Sequence, residues 1–418
     1  MGNLQAVVSG KNKLQYLDGM RGLMAINVIL CHFVCVYFPQ MYFEATAKQS
    51  SGVLSLFATT PLTAAVNGNI AVMYFMALTG FLVGMRTFTK RSRGIRAFVK
   101  KSISRYTRLL PVVLLATLAT YMMMVCNLQK HLSITDSAVN MSFLQEYCNF
   151  TPNIKSLLNN IFVKPFWNGS DYIGPFWTIK YEFLGYILTL FLAMTLKDSK
   201  YRRILYVGAA MLIMGLTVMN VPLVDMLYVV LIMGLFVADL VFNPAQTILS
   251  KYYDKLLKTK TCLIVCYITG IYFSCCTMFS TPLYSWWFAI PLVSKTLLRG
   301  LGMAILIFAF TQTKRLQKVL SWKPFLVLGA CSFETYAMHW PLMLSLEAFL
   351  FITLRKSLPY NAAALLSLLL TLPVIYLVSY FMHILVSKSQ KALYGFVAKG
   401  LKKEIDRPIL DCSCKNGQ

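Results

Sequence analysis

The sequence predicts an all-α, polytopic membrane helix bundle of about ten transmembrane helices with both termini cytoplasmic. Three observations carry this. Charged side chains make up only 13% of the 418 residues and hydrophobic ones 57%, with a mean hydropathy of +0.62, against about 25% charged in soluble domains. Apolar stretches such as 206–242 and 362–387 are long enough to cross a bilayer, which takes about 20 residues. The basic residues fall in alternate loops.

Ten spans follow in order: 20–38, 69–86, 108–126, 174–194, 203–220, 222–242, 261–279, 288–311, 325–352 and 362–387. Residues 1–13 are polar and no secretory signal peptide is visible. The loops 87–107, 195–202, 243–260 and 312–324 are all basic, whereas 39–68 holds only Lys48 and 127–173 only Lys130, Lys155 and Lys164. Lys and Arg concentrate on the cytoplasmic side, which sets the orientation. Lys295 and Arg299 dissent, because the scheme puts them near the outer face. The expected organisation is a cytoplasmic segment 1–13, a membrane domain 14–387 and a basic cytoplasmic tail 388–418.

The formal net charge is +25. In a soluble protein this excess would suggest nucleic acid. Here KRSRGIRAFVKKSISRYTR, 90–108, holds eight basic residues and no acid, a pattern that suits anionic lipid headgroups. No nucleic-acid-binding signature accompanies it, so no nucleic-acid partner is expected. The eleven cysteines give no close disulfide framework. Seven lie in apolar stretches as packing residues, and Cys126 and Cys148 can pair if both face an oxidising compartment. Cys412 and Cys414 are too few for a metal site, and no metal is expected. Asn140, Asn149 and Asn168 open Asn-x-Ser/Thr sequons within 127–173, glycan acceptors in a secretory membrane.

The first span, YLDGMRGLMAINVILCHF, begins with Asp18 and Arg21 and reaches His32. Eleven positions separate Arg21 from His32, about three helical turns, so both lie on one face about 16 Å apart along the axis. A titratable group at that depth is costly unless it faces the protein interior or water. A packing histidine bonded to a backbone carbonyl is the bland alternative. Arg105 and Arg108 share a helix face and suit phosphate oxygens, or else lipid headgroups. Glu182, just inside a span, is a functional candidate by its position, or a buried partner of an arginine. Trp177 suits a sugar face or the membrane interface. Tyr336 and His339 share a face. Glu334 is an unusual acid in its span, His131 reads as an exposed loop residue and His383 as a boundary residue.

Five motifs in order resemble the acyltransferase-3 family of integral membrane acyltransferases: LDGMRG with Arg21 and His32; NIAVMYFMALTGFL, 69–82, with Thr79 where the family usually has Ser; RYTR, 105–108; GPFWTIKYEF, 174–183, with Thr178 for Ser and Glu182 retained; and SFETYAMHWPL, 332–342. The resemblance spans 14–387. It implies a membrane O-acyltransferase that moves an acyl group, by expectation acetyl, from cytoplasmic acyl-CoA to a carbohydrate or glycolipid hydroxyl near the opposite face. His32 would be base or transient acyl carrier, and Glu182 would orient it or bind the acceptor hydroxyl. Arg21, Arg105 and Arg108 would hold the donor; Trp177, Tyr336 and His339 are acceptor-site candidates. Acyl-CoA is the expected co-substrate. The 31 residues after the last expected span leave no room for the extracytoplasmic SGNH hydrolase-like domain of some members, so acylation would be direct or use a separate partner protein. A transporter or exporter on the same frame is the alternative, and a basic membrane scaffold a third. No internal repeat or inverted pair of broken helices supports a transporter.

Overall fold

The computed structural model describes residues 14–43, 46, 53–89, 94–243, 251–252, 255–257, 259–277, 282–290 and 292–405. Among them the secondary structure is entirely helical, with no strand. The principal helices are α1 (Gln15–Tyr37), α2 (Gly68–Thr89), α3 (Ile95–Val125), α4 (Gly174–Leu196), α5 (Arg202–Val218), α6 (Met226–Phe242), α7 (Lys260–Ser274), α8 (Lys295–Gln312), α9 (Lys314–Leu320), α10 (Lys323–Ala330), α11 (Ser332–Leu354) and α12 (Tyr360–Ile405). Residues 1–13, most of 243–260 and the tail from 406, with Cys412 and Cys414, lie outside the described residues.

Among the described residues, six helices are long and apolar enough to cross a membrane: α1, α2, α3, α4, α11 and α12. A seventh arises if α8 and α9, bent by 101°, count as one span. The expected spans 203–220, 222–242 and 261–279 correspond to α5, α6 and α7, each shorter than a full crossing by that measure. The reason is local. Asp225 accepts from the amide of Leu227 and starts α6 afresh after Pro222, an N-cap that ends the preceding apolar run. Ser294 caps α8 in the same way through Leu297, and 282–288 forms a separate short helix. The expected span 325–352 is divided into α10 and α11 at Cys331. In turn α12 continues unbroken to Ile405, so no helix end marks the expected boundary at 387.

Among the described residues, two large apolar clusters form most of the interior, beside a small one of Cys276, Tyr284 and Leu298. Of the large ones, one gathers α1, α3, α11, α12 and the loop 127–173; the other gathers α2, α6 and α8 with parts of α4 and α5. Helices α2 and α6 touch backbone to backbone. A Cβ on Gly80 would lie 1.9 Å from the Leu231 carbonyl oxygen, and one on Gly234 1.9 Å from that of Ala77. Small residues at membrane helix crossings permit this approach. Between α5 and α6, Arg202 Nε donates to Asp239 Oδ1 at 2.6 Å and Arg203 Nε to Oδ2 at 2.9 Å, so the buried carboxylate of Asp239 is charge-matched.

Three expectations outside the site change. Arg299 is buried, and its Nε donates to the carbonyl of Cys276 at 2.8 Å just past the end of α7. It thus faces the protein interior rather than an outer loop. His131 is buried rather than exposed, with Nε2 3.3 Å from the Tyr147 carbonyl, and burial holds its pKa below the ordinary imidazole range. Cys126 and Cys148 are free thiols. The Cys148 thiol donates to the Tyr172 carbonyl at 3.2 Å, and burial pushes its pKa up to about 11, which keeps it protonated and unreactive. Of the sequon residues, Asn140 is engaged in the fold: its side chain caps a short helix through Phe143 and donates to the Cys35 carbonyl. Asn149 and Asn168 are exposed.

Candidate active site

The site has two parts, both resting on α1. The first is a cavity of about 610 Å³ at the N-terminal end of that helix. Side chains from both apolar clusters line it, so it lies where the two meet. Asp18 and Arg21 come from α1, Arg86 from the last turn of α2, Arg105 and Arg108 from α3, Glu182 from α4, and Glu334 and Tyr336 from α11. Helices α1 and α10 are pressed together at its rim: a Cβ on Gly329 would lie 1.9 Å from the Asp18 carbonyl oxygen.

Each carboxylate in the wall faces a basic partner. Arg21 Nη1 lies 3.5 Å from Asp18 Oδ1. His383 Nδ1 lies 3.0 Å from Glu334 Oε1, so these two residues, unconnected in the sequence reading, form one pair. Arg105 forms an ion pair with Glu182 and also donates from Nε to the Glu182 carbonyl at 3.0 Å. Thr79 Oγ1 donates to the same carboxylate at 3.0 Å. Thr79, noted above as a departure from the family pattern, retains the hydroxyl that this bond requires. Glu182 lies within a π-helical turn, Tyr181–Gly185, a distortion common at functional sites.

The second part lies deeper along α1. His32 Nδ1 is 3.0 Å from His339 Nε2, and His339 Nδ1 is 3.2 Å from the Thr335 carbonyl oxygen. A carbonyl can only accept, which assigns the proton on His339 Nδ1; in the neutral ring Nε2 is then an acceptor. His32 Nδ1 must therefore donate, and His32 Nε2 keeps its lone pair. The two rings stack with centroids 5.0 Å apart, and Trp340 packs edge-on to His32 at 5.1 Å. Tyr147 and Phe143 of the loop 127–173 pack on Trp340 in turn. The loop is also pinned to α11 by the Lys130 amide on the Leu344 carbonyl, and to α1 by the Asn140 amide on that of Val36. It thus covers the end of the bundle opposite the cavity.

Tyr336 connects the two parts. Its side chain lines the cavity, and its hydroxyl is hydrogen-bonded to Thr178 Oγ1 at 2.8 Å and to the Pro175 carbonyl. Its ring lies 6.0 Å from that of His339. Thr178 also lines the cavity, whereas His32 and His339 lie outside its lining.

The structure thus gathers Arg21, Arg105, Arg108, Glu182 and Tyr336 around one cavity, and His32 and His339 beside each other. Glu182 is turned to Arg105 and Thr79, not to His32, which corrects the expected orienting role; His339 holds that position instead. Trp177 joins neither group. It is exposed and packs edge-on to Tyr181. Sequence reasoning missed Arg86, which ends a span like any boundary cation, and Trp340, which directly follows His339. Among the described residues, no group of His, Cys, Asp and Glu is placed to hold a metal ion.

No curated protein and no solved structure matches the chain. A family profile described as an acyltransferase domain matches residues 14–380, a range that contains the site residues named above except His383. The chain is a multi-pass membrane protein that belongs to the acyltransferase-3 family of membrane acyltransferases.

Proposed function

We propose that the chain moves an acyl group, acetyl by preference, from cytoplasmic acyl-CoA to a hydroxyl of a carbohydrate or glycolipid near the opposite membrane face. The observation that carries this reading is the joining, by Tyr336, of an arginine-lined cavity to a histidine whose free nitrogen is fixed by a second histidine. Arginine suits the phosphates of coenzyme A. A neutral imidazole with a defined lone pair suits removal of a hydroxyl proton. In the transfer, the acceptor oxygen bonds to the thioester carbonyl carbon while His32 Nε2 takes the hydroxyl proton. The carbon–sulfur bond then breaks, and the proton passes to the departing thiolate. As an acyl carrier, His32 would use the same lone pair. The thioester arm must pass the Thr178–Tyr336 hydroxyl pair, which makes these residues the gate between donor and base.

The domain 14–387 carries the whole of this reaction. The proposed topology keeps both termini inside, with α5, α6 and α7 completing ten crossings beside the longer helices. It puts the cavity on the cytoplasmic side, where acyl-CoA is found, and the loop 127–173 on the other. Single cysteines introduced at exposed positions in 94–101 should react with impermeant maleimide only from the cytoplasm, and those in 149–156 only from the opposite side. Reaction of 94–101 from outside would invert the scheme and separate the cavity from its donor. A transporter on this frame would not release free coenzyme A. Purified protein in vesicles with acetyl-CoA and a glycan acceptor should release it in step with acceptor acylation; acceptor movement without release would favour the transporter.

A further inference from the structure

Three carboxylates line the cavity, and each faces a basic partner: Asp18 with Arg21, Glu182 with Arg105, and Glu334 with His383. Two guanidinium groups remain, those of Arg86 and Arg108. Neither has an ion-pair partner among the described residues, and both are exposed where they line the cavity. They come from different helices, α2 and α3, yet line the same cavity, and Arg86 is the strongest of the like charges acting on Arg108. Two unmatched cations facing one space repel, and an anion held between them relieves that repulsion.

We infer that Arg86 and Arg108 together form the phosphate clamp of this cavity, and that Arg105 acts instead as the positioning partner of Glu182. The inference rests on the reading of the cavity as a coenzyme A site. It changes which residues bind: the adjacent pair Arg105 and Arg108 gives way to a pair that bridges two helices. The fitting ligand carries at least two phosphate charges, as the nucleotide half of coenzyme A does. Arg86 also stands in the last turn of α2, where any cation gains from the helix dipole. A dipole or lipid role alone would be served equally by lysine. A clamp on phosphate oxygens requires the planar fork of arginine.

The test is calorimetric titration of the purified full-length protein with coenzyme A, free of any acyl group. Arg86→Ala should weaken binding by about 10- to 100-fold, the scale of a lost charge-assisted hydrogen bond, and Arg86→Lys should recover part of it. In turnover the same change should raise KM for the donor and leave kcat near the wild-type value. If Arg86→Ala does not fold, Arg86→Lys and Arg86→Gln give the same comparison. Unchanged affinity in a folded Arg86 variant, with Arg108→Ala weakened, would overturn the clamp and leave the coenzyme A site standing. Wild-type protein that fails to bind coenzyme A at all would overturn the site and the clamp with it.

Discussion

Replacing His32 with alanine should reduce acyl transfer by about 100-fold or more, the scale of a lost general base, while the protein still inserts and folds. His32 contacts the side chain of His339 and the backbone of Val28 in its own helix, and its ring packs on Trp340, so its removal disturbs little else. A discriminating partner is His339→Gln. The glutamine side chain carries both an acceptor and a donor, so it can still take a hydrogen bond from His32 Nδ1. That variant should retain more activity than His339→Ala, in which His32 Nδ1 loses its side-chain acceptor. The measurement is the initial rate of coenzyme A release with saturating acceptor. Rates near wild type for well-folded His32→Ala would remove His32 from the chemistry. Equal losses in both His339 variants would reduce His339 to packing.

The second large effect is expected at the ion pair between α3 and α4. Glu182 and Arg105 are both largely shielded, each side chain 14% exposed. Removing one partner leaves the other charge without compensation, at a cost of about 3 kcal/mol for a shielded pair. Glu182→Gln should therefore lower thermal stability as well as activity. Arg105→Gln in the same chain should restore part of the stability, because the stranded cation is gone. Contacting residues typically couple by about 0.5–3 kcal/mol in such a cycle. Additive losses would show that the two side chains do not act as a unit. Activity should not return in the double variant if the pair also shapes the donor cavity.

The sequence and the structure agree where a residue's role depends on its own helix. The Arg21–His32 face, the shared face of Tyr336 and His339, and the pairing of α1, α2, α3 and α12 with expected spans follow from helical periodicity and apolar length, which are local properties. The disagreements come from contacts between helices. Nothing in the spacing of 105 and 108 reveals that Arg105 is held by a carboxylate 77 positions away, while Arg108 and Arg86 have no ion-pair partner among the described residues. Nothing near His32 reveals a partner 307 positions away. The burial of His131 likewise depends on how the loop 127–173 folds back over α11. The shorter helices show a different limit. Hydropathy registers the apolar run through 203–242, but the Asp225 cap and Pro222 cut it into two helices of 17 residues each.

The central claim is that one donor molecule extends from the arginines of the cavity past Tyr336 towards His32. It is tested most directly by determining the structure of the purified protein with a non-hydrolysable acetyl-CoA analogue. The account predicts phosphate density beside Arg86 and Arg108, with the acyl end at the Thr178–Tyr336 gate and directed to His32 Nε2. Donor density elsewhere on the protein, or an acyl end directed away from His32, would contradict it.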